Sequence, residues 1–320
     1  MPAGAAGFHQ GQGWETHYHS PALAAEVVEL LGGSVLVLDG TLGGGGHSAA
    51  LLDHGAGRVI GVDRDDDALA EATTRLASAV DGGRFAAYRG NYSAIDAIPA
   101  IADLRFTGIL LDLGISSHQI DDAARGFSFR EGAPLDMRMG SDAPHTAAEL
   151  LDSAEEGELT RIFREYGDEP RGARLAREIV RRRESRPFET SDDLVGAIRG
   201  AFGPRTGPPE FARLFQAVRI AVNDELAGLA RALPVLRDRL VPGGVFVVIA
   251  YHSGEDRMVK HAFREWSTEC ICPPRHPMCT CGGHHAIGEV LTRRATVASA
   301  AEIAHNPRAR SAKLRAWRAK

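Results

Sequence analysis

The stretch from 39 to 52 reads DGTLGGGGHSAALL, with four consecutive glycines between an acidic residue and an apolar run. Glycine is costly in regular structure, because it loses more backbone entropy on folding than any other residue. Gly43 to Gly46 therefore indicate that a ligand approaches the main chain closely. The helix predicted to begin near His47 would offer its unpaired N–H groups to the same ligand. This loop is the first candidate binding site.

Carboxylates end the two predicted strands nearest this loop. Asp39 closes the strand SVLVLDG, and Asp63 closes the next strand, 20 residues after Gly43. A carboxylate at the second position can accept hydrogen bonds from both hydroxyls of an adenosine ribose. The alternative is that Asp63 only neighbours a helix start, with Asp65 as the N-cap. We favour ribose binding.

Two cofactors suit this pattern. A dinucleotide prefers Gly-x-Gly-x-x-Gly, and the third glycine of that motif would fall at Ser48 here. S-adenosylmethionine (SAM) carries no phosphate and needs close backbone approach with an acidic residue near its ammonium, where Asp39 is placed. We favour SAM, and a nicotinamide-dependent oxidoreductase is the second enzyme hypothesis.

Two further side chains follow strands of the same predicted sheet. Tyr92, in RGNYSAI, is a candidate to stack on an adenine ring, although an ordinary half-buried aromatic residue explains it nearly as well. Asp112, in LLDLGISS, lies where a transferred methyl group and its acceptor should meet. A carboxylate at a buried strand end is unfavourable unless something pairs with it. Asp112 is therefore the stronger candidate.

The order of elements predicts an α/β fold. Strand patterns alternate with helical patterns over the first 120 residues, which is typical of βαβ units and a parallel sheet. Only helical patterns follow until about 212, and PGGVFVVIAYH then predicts a fifth strand. GEVLTRR and AKLRAWR are expected to form an antiparallel pair that completes the sheet.

This order also predicts the domain boundaries. We expect a flexible leader at 1–16, an α/β domain at 17–119 and 213–320, and an inserted all-helical substrate-recognition domain at 120–212. The apolar pattern from Phe211 to Leu240 predicts one long helix at the second boundary.

Composition limits the class of protein. The 320 residues are 44% hydrophobic and 25% charged, with a net charge of −5, as in ordinary soluble proteins. The longest apolar run falls short of the roughly 18 residues that a membrane span needs. The N-terminus lacks the basic start and apolar core of a signal peptide. We expect a cytoplasmic protein with no membrane partner.

Positive charge is concentrated in two tracts. The segment 171–186 has seven arginines, and no acidic residue follows Ile303, where six basic residues lie. Such runs are most often solvated faces. Two such runs on a protein of net negative charge are equally consistent with a local site that binds a polyanion.

All four cysteines lie in CICPPRHPMCTCGGHH, at positions 270, 272, 279 and 281. Four thiolates can bind zinc tetrahedrally, but Cys-x-Cys pairs are not the usual spacing. A cytoplasmic setting argues against a structural disulfide. Metal binding stays an alternative because of three nearby histidines, His276, His284 and His285. We nevertheless predict no metal.

Several motifs resemble one known family. DGTLGGGGHS, GVDRDDDAL, ILLDLGISSHQIDDAARGFSF, PLDMRM, HSGEDRMVK and NPRARSAKLR closely resemble the bacterial 16S ribosomal RNA cytosine-N4 methyltransferases, the RsmH or MraW family. The resemblance implies the class I SAM-dependent methyltransferase fold, a Rossmann-like sheet with an inserted helical domain. It also implies methylation of N4 of a cytidine in the decoding centre of 16S rRNA within the small ribosomal subunit. A homodimer is left open.

The resemblance extends to the site residues. It implies SAM contacts from Gly45, Gly46, His47, Asp63, Tyr92, Asp112 and Gln119. Four positions depart from the residues commoner in the family: Leu42, Tyr92 and Tyr251 stand for phenylalanine, and Gly254 stands for leucine. These departures affect packing and remove no polar group.

The chemistry expected of this family needs a proton acceptor beside the cytosine amino group. Asp112 is the expected principal acceptor, with Ser116, Ser117 and Asp136 as candidate helpers. A backbone carbonyl is the alternative acceptor. His252 is a candidate to bind the base or take a proton. We slightly favour the alternative, a histidine hydrogen-bonded within the fold beside Glu255.

The loop RGFSFREGAPLDMRM interleaves four apolar side chains, at Phe127, Phe129, Met137 and Met139, with three arginines. This composition suits stacking on an extruded base and binding of its phosphates. The apolar residues would equally cap the core of the insertion. A non-catalytic RNA-binding assembly factor is the third hypothesis for the whole chain.

Overall fold

The computed structural model describes residues 20–273 and 280–320, and eight strands of that part of the chain form one sheet. They are β1 (Leu36–Asp39), β2 (Arg58–Asp63), β3 (Phe85–Arg89), β4 (Phe106–Asp112), β5 (Leu240–Ala250), β6 (Gly288–Val290), β7 (Thr296–Val297) and β8 (Lys313–Ala319). The predicted leader at 1–16 lies outside the described residues.

The sheet order is β3-β2-β1-β4-β5-β8-β6, with β7 also paired to β8. Strands β1 to β5 pair in parallel, and β8 runs antiparallel to both β5 and β6. The predicted pairing of the two C-terminal segments is confirmed, with Gly288 opposite Ala319. The predicted α/β fold with a mainly parallel, Rossmann-like sheet is therefore confirmed.

Thirteen α-helices lie in the described chain. They are α1 (Ala24–Leu31), α2 (Gly46–Asp53), α3 (Asp66–Arg75), α4 (Ala77–Asp81), α5 (Ser117–Asp121), α6 (Ala147–Ser153), α7 (Glu156–Arg161), α8 (Gly172–Arg183), α9 (Ser191–Phe202), α10 (Pro208–Val222), α11 (Glu225–Asp238), α12 (Ser253–Trp266) and α13 (Ala300–His305). None of these combines the length and apolar character that a bilayer crossing requires.

The sheet is covered on both faces. Along β5, Val245, Val247 and Ile249 belong to one buried cluster, and the intervening Phe246 and Val248 belong to the other. Successive side chains of a strand point to opposite faces, so a continuous apolar run is what a doubly covered strand needs. Each fully buried side chain of this size contributes about 1.5–3 kcal/mol.

The chain divides into two compact units, one reaching Gly114 and resuming at Leu229, the other spanning Ile115–Gly228. The second unit is helical, and an isolated bridge between Pro134 and Thr190 is its only described β pairing. It ends later than the predicted boundary at 212, because α10 buries Phe211, Leu214, Phe215 and Val218 in the core of this unit.

The prediction of one long helix from Phe211 to Leu240 is wrong. The chain breaks between α10 and α11, where Asp224 has a φ of 53°, in the left-handed region. The amide of Asn223 donates to Met137 O at 2.7 Å, and its oxygen accepts the Met139 N–H at 2.8 Å. These buried contacts fix the break, and Asn and Asp tolerate such a turn better than most residues.

Candidate functional site

The glycine loop connects β1 to α2, at the carboxyl edge of the sheet. Gly43 and Gly45 have φ values of 50° and 74°, and Gly45 is the N-cap of α2. Glycine adopts this left-handed region without the steric cost that a side chain adds. A Cβ at Gly43 would meet no atom within 4 Å, so the loop is open there.

Gly45 and Gly46, in contrast, face other protein atoms closely. A Cβ at Gly45 would lie 3.1 Å from Ala72 Cβ, and one at Gly46 would lie 3.1 Å from the Pro21 ring. Close packing of the loop against its neighbours therefore favours glycine at these positions, independently of any ligand. A ligand would meet their backbone rather than an open Cβ position.

Asp63 closes the loop from the end of β2. Its Oδ2 accepts the Gly43 N–H at 2.8 Å, and its Oδ1 accepts the Asp65 N–H at 2.9 Å. Asp65 accepts the Asp67 N–H and caps α3, as the alternative interpretation required. Removal of the Asp63 carboxyl from water raises its pKa to about 6, against these two hydrogen bonds. Each oxygen keeps capacity for a further donor.

Asp39 is 1% exposed at the end of β1. Its Oδ2 accepts the Ser48 hydroxyl at 2.7 Å, while its Oδ1 is buried and has no hydrogen-bond partner among the described residues. Burial raises the pKa of Asp39, and nearby His47 and the Ser48 hydrogen bond oppose that rise. A buried acceptor without a partner is unfavourable and is the most direct sign of an absent donor.

Asp112 lies at the end of β4, where the sequence placed it. Tyr251 Oη donates to its Oδ1 at 2.9 Å, and its backbone N–H donates to Thr41 Oγ1 at 2.6 Å. His47 Nδ1 lies 3.6 Å from the Asp112 Oδ2. The hydrogen bond to this carboxylate therefore comes from the residue that follows β5, and His47 of α2 lies beside its other oxygen.

The His47 side chain is 6% exposed and lies between the segment before α1 and this carboxylate. Its Nε2 lies 2.9 Å from Ala22 O, which can only accept, so Nε2 is the donor. The other ring nitrogen faces Asp112. A cofactor contact from this residue would therefore come through its backbone N–H, in the first turn of α2.

Tyr92 begins a short 3₁₀ helix, Tyr92–Ala97, whose first turn is capped by the Asn91 side chain at the Ser93 N–H. It is half-buried and adjacent to the end of β1, since a Cβ added at Gly40 would lie 3.2 Å from Tyr92 Cβ. The tyrosine thus lies at the carboxyl edge of the sheet, as predicted. Stacking on an adenine remains a prediction.

His252 follows β5 and is the N-cap of α12. Its Nδ1 accepts the Glu255 N–H at 3.5 Å, and its Nε2 lies 3.1 Å from Glu255 Oε1. Glu255 Oε2 in turn accepts the Tyr251 N–H at 3.0 Å. These contacts support the interpretation that we slightly favoured, a histidine held within the fold.

Three predicted site residues belong to the helical unit. Gln119 is buried, and its Oε1 accepts the Ser116 N–H at 3.0 Å in the capping box of α5. Ser117 begins the same helix, and its side chain lies outside the described part of the structure. Asp136 accepts two hydrogen bonds from the Arg138 guanidinium, both 2.8 Å. Although burial raises the pKa of Asp136, this pairing holds it below its ordinary value.

The apolar side chains of the loop RGFSFREGAPLDMRM do not all have the same environment. Phe127, Met137 and Met139 are buried in the core of the helical unit. Phe129 is 38% exposed, and its ring packs edge-on against Phe211 at 5.8 Å. Core packing therefore explains three of these side chains, and Phe129 alone presents an aromatic surface.

Both arginine tracts form ion pairs within their own units. In α8, Arg181 and Arg182 each donate to Glu178 at 2.7 Å. Near the C-terminus, the pairs are Arg315–Asp256 at 2.7 Å, Arg318–Glu289 at 3.1 Å and Lys320–Glu269 at 2.7 Å. These contacts support the solvated-face interpretation of much of this charge.

Sequence reasoning missed three partners in the site. Thr41 Oγ1 accepts the Asp112 backbone N–H, Ser48 donates to the Asp39 carboxylate, and Tyr251 was noted only as a departure in packing. A polar side chain within or just after the glycine loop was an available signal for the first two. The pairing of Tyr251 with Asp112 spans 139 positions and has no local signal.

The site fits SAM in three respects. The unpartnered Oδ1 of Asp39 needs a donor, which the ammonium of the methionine part would supply. The Asp63 oxygens have remaining acceptor capacity for ribose hydroxyls. The space at Gly43 admits a ligand against the backbone.

Comparison with known proteins agrees with the resemblance. Residues 16–320 match the profile of the MraW methylase family. A Gemmatimonas aurantiaca protein named ribosomal RNA small subunit methyltransferase H is 61% identical over 301 residues, covering 94% of this chain and 95% of the relative. A Heliobacterium modesticaldum protein of the same name is 47% identical, covering 93% and 97%. With this similarity over nearly its whole length, the chain belongs to the MraW methylase family.

Proposed function

We propose that this chain transfers a methyl group from SAM to N4 of a cytidine in small-subunit ribosomal RNA. The observation that carries the proposal is the buried Asp39 Oδ1, which lacks a donor beside an open glycine loop. The name shared by the two relatives supports ribosomal RNA as the substrate. The choice of N4 rests on the family resemblance.

In this proposal the carboxyl edge of the sheet holds the cofactor. Asp39 accepts the ammonium, Asp63 accepts the ribose hydroxyls, and Tyr92 stacks on the adenine. The backbones of Gly45, Gly46 and His47 line the methionine part. SAM supplies a methyl group on a positively charged sulfur, a strong electrophile.

Asp112 acts on the other reactant. The exocyclic amino group of cytosine is a poor nucleophile, because its lone pair is delocalised into the ring. A carboxylate that accepts its N–H bonds would favour the tetrahedral nitrogen and take the released proton. The Tyr251 hydroxyl orients this carboxylate, and correct positioning can contribute up to about 7–11 kcal/mol.

The helical unit supplies the remaining candidates. Asp136 keeps its charge through its pair with Arg138, which suits holding that guanidinium for a phosphate better than proton transfer. Phe129 is the exposed ring available for an extruded base. In α5, Ser117 stays a proposed helper of Asp112, and Gln119 stays a proposed SAM contact.

We place the reaction in the cytoplasm, on the assembled small subunit. A test incubates the purified chain and labelled SAM with unmethylated small subunits, naked 16S rRNA, tRNA and DNA. Label in subunits supports the proposal. Label only in naked 16S rRNA would keep the target and show that the substrate is free RNA rather than the assembled subunit. Label confined to tRNA or DNA would refute the target. Cofactor binding without any transfer would favour the assembly-factor hypothesis, and binding of nicotinamide dinucleotide alone would favour the oxidoreductase.

A further inference from the structure

Three thiols meet in the segment between α12 and β6. The Sγ atoms of Cys270, Cys272 and Cys281 all lie within 4.8 Å of one another, and those of Cys270 and Cys281 are 3.7 Å apart. Two ligands of a tetrahedral zinc site with Zn–S bonds of about 2.3 Å lie about 3.8 Å apart. The thiols are therefore at metal-ligand spacing, although they are two Cys-x-Cys motifs in sequence.

Backbone hydrogen bonds bring the two arms of this segment together. The His285 N–H donates to Glu269 O at 3.2 Å, and the Ile287 N–H donates to Trp266 O at 2.9 Å. His285 Nε2 lies 3.0 Å from Cys281 O. The first arm carries Cys270 and Cys272, and the returning arm carries Cys281. The chain reversal, rather than local spacing, creates the cluster.

The local environment favours the thiolate form. The Thr280 N–H donates to Cys272 Sγ at 3.3 Å, and the Thr280 hydroxyl lies 3.7 Å from the same sulfur. The thiolate is the form that binds metals, and N–H donors to sulfur stabilise it.

Apolar packing does not explain the arrangement. No described residue from 267 to 273 or from 280 to 285 is buried, and Ile271 is 64% exposed. A surface segment without a core of its own is commonly stabilised by a metal or a cross-link. In a reducing compartment the metal is the favoured solution.

We propose that Cys270, Cys272 and Cys281 bind one Zn²⁺ as thiolates. Each thiol releases its proton to solvent on binding, and the zinc keeps its oxidation state. Zinc suits soft thiolate ligands, and these three would fill three of its four tetrahedral positions. The site would join the two arms between α12 and β6, and it is independent of the methyl-transfer proposal.

The test measures metal in the full-length chain, purified under reducing conditions with zinc in the growth medium and then desalted. We expect about one zinc per chain, lost in Cys270→Ser, Cys272→Ser and Cys281→Ser. Thr280→Val is the matched control, because it keeps the backbone N–H to Cys272 and should keep the zinc. Substitution with Co²⁺ should give the intense absorption of a tetrahedral thiolate complex in the wild type and Thr280→Val only.

Several results would overturn the proposal. One is zinc well below one equivalent after desalting, with all thiols reacting freely with a thiol reagent. Another is zinc content unchanged in all three serine variants. A third is a Cys270–Cys281 disulfide found by mass spectrometry in the reduced preparation. Circular dichroism of each variant establishes that a loss of zinc is not a loss of fold.

Discussion

The Tyr251 hydroxyl donates a hydrogen bond of 2.9 Å to Asp112 Oδ1, which joins the ends of β5 and β4. Burial, followed by the neighbouring carboxylate, raises the pKa of Tyr251 well above its ordinary value, so the phenol stays protonated and remains a donor at neutral pH. The ring also lies 3.3 Å from the position a Cβ would take at Gly114. Tyr251 therefore has two separable contributions, a hydrogen bond and a packed ring.

Substitution of Tyr251 separates these contributions. Tyr251→Phe removes a hydrogen bond of about 0.5–1.5 kcal/mol and keeps the ring, so kcat for methyl transfer should fall by no more than about tenfold. Tyr251→Ala also leaves a cavity. It should lower the free energy of unfolding by about 2–4 kcal/mol more, as truncation of other aromatic side chains does. Steady-state kinetics and thermal unfolding check both. Equal loss of activity in the two variants would show that the hydroxyl alone matters.

Asp39→Asn should stabilise the ligand-free chain and weaken SAM binding. The substitution removes a buried charge and keeps an oxygen for Ser48, so the free energy of unfolding should rise by about 1–3 kcal/mol. Loss of a charge-assisted hydrogen bond should raise the Kd for SAM by about 10- to 100-fold. Thermal unfolding and calorimetry measure the two effects. Unchanged SAM affinity would remove Asp39 from the cofactor site.

SAM affinity should depend on pH through Asp63. Its pKa is about 6 in the folded chain, raised from the ordinary value of 3.8. The folded state thus holds the proton to higher pH, and the contribution of Asp63 to stability falls as pH rises through this window. Binding has the opposite sign, because ribose hydroxyls need the ionised acceptor. The Kd should rise as pH falls below about 6.

Asp63→Asn provides the control for this pH dependence. Asp39 also has a raised pKa, so a residual pH dependence in Asp63→Asn would belong to that residue. The component near pH 6 should disappear in the variant. A wild-type Kd that is constant from pH 5 to pH 8 would contradict the assignment.

Glycine replacements in the loop should differ in cost. Gly43→Ala adds strain at φ 50° but meets open space, and Gly45→Ala adds strain at φ 74° together with a contact 3.1 Å from Ala72. The free energy of unfolding should fall by about 1 kcal/mol in Gly43→Ala and by about 2–3 kcal/mol in Gly45→Ala. Denaturant titration of both variants provides the comparison. Equal losses would show that packing against Ala72 contributes little.

Local patterns were sufficient to predict the five parallel strands and the carboxylates at the ends of three of them, but not the short strand β7. Runs such as ILLDLG and VFVVIA identify buried strands because both faces of the sheet are covered, and parallel strands bring Asp39, Asp63 and Asp112 to one edge. The break at Asp224 was not predictable, since it depends on contacts from Asn223 to a loop over 80 positions earlier.

Tertiary pairing also explains the other gaps. Tyr251 and Asp112 meet only through the pairing of β4 with β5, where Asp112 lies opposite Ile249. The three thiols meet only because the chain reverses between α12 and β6, which a spacing rule for zinc does not capture. Gln119 and His252 cap helices, a role that their sequence neighbours Ser116 and Glu255 signal in retrospect.

The most direct test of the central claim is nucleoside analysis of small subunits after incubation with SAM and the purified chain. The wild type should produce N4-methylated cytidine at one site. Asp112→Ala should lower the rate at least about 1,000-fold while SAM still binds, because the proton acceptor is lost and the cofactor site remains. Methylation at another base or atom, or near-normal methylation by Asp112→Ala, would contradict the account.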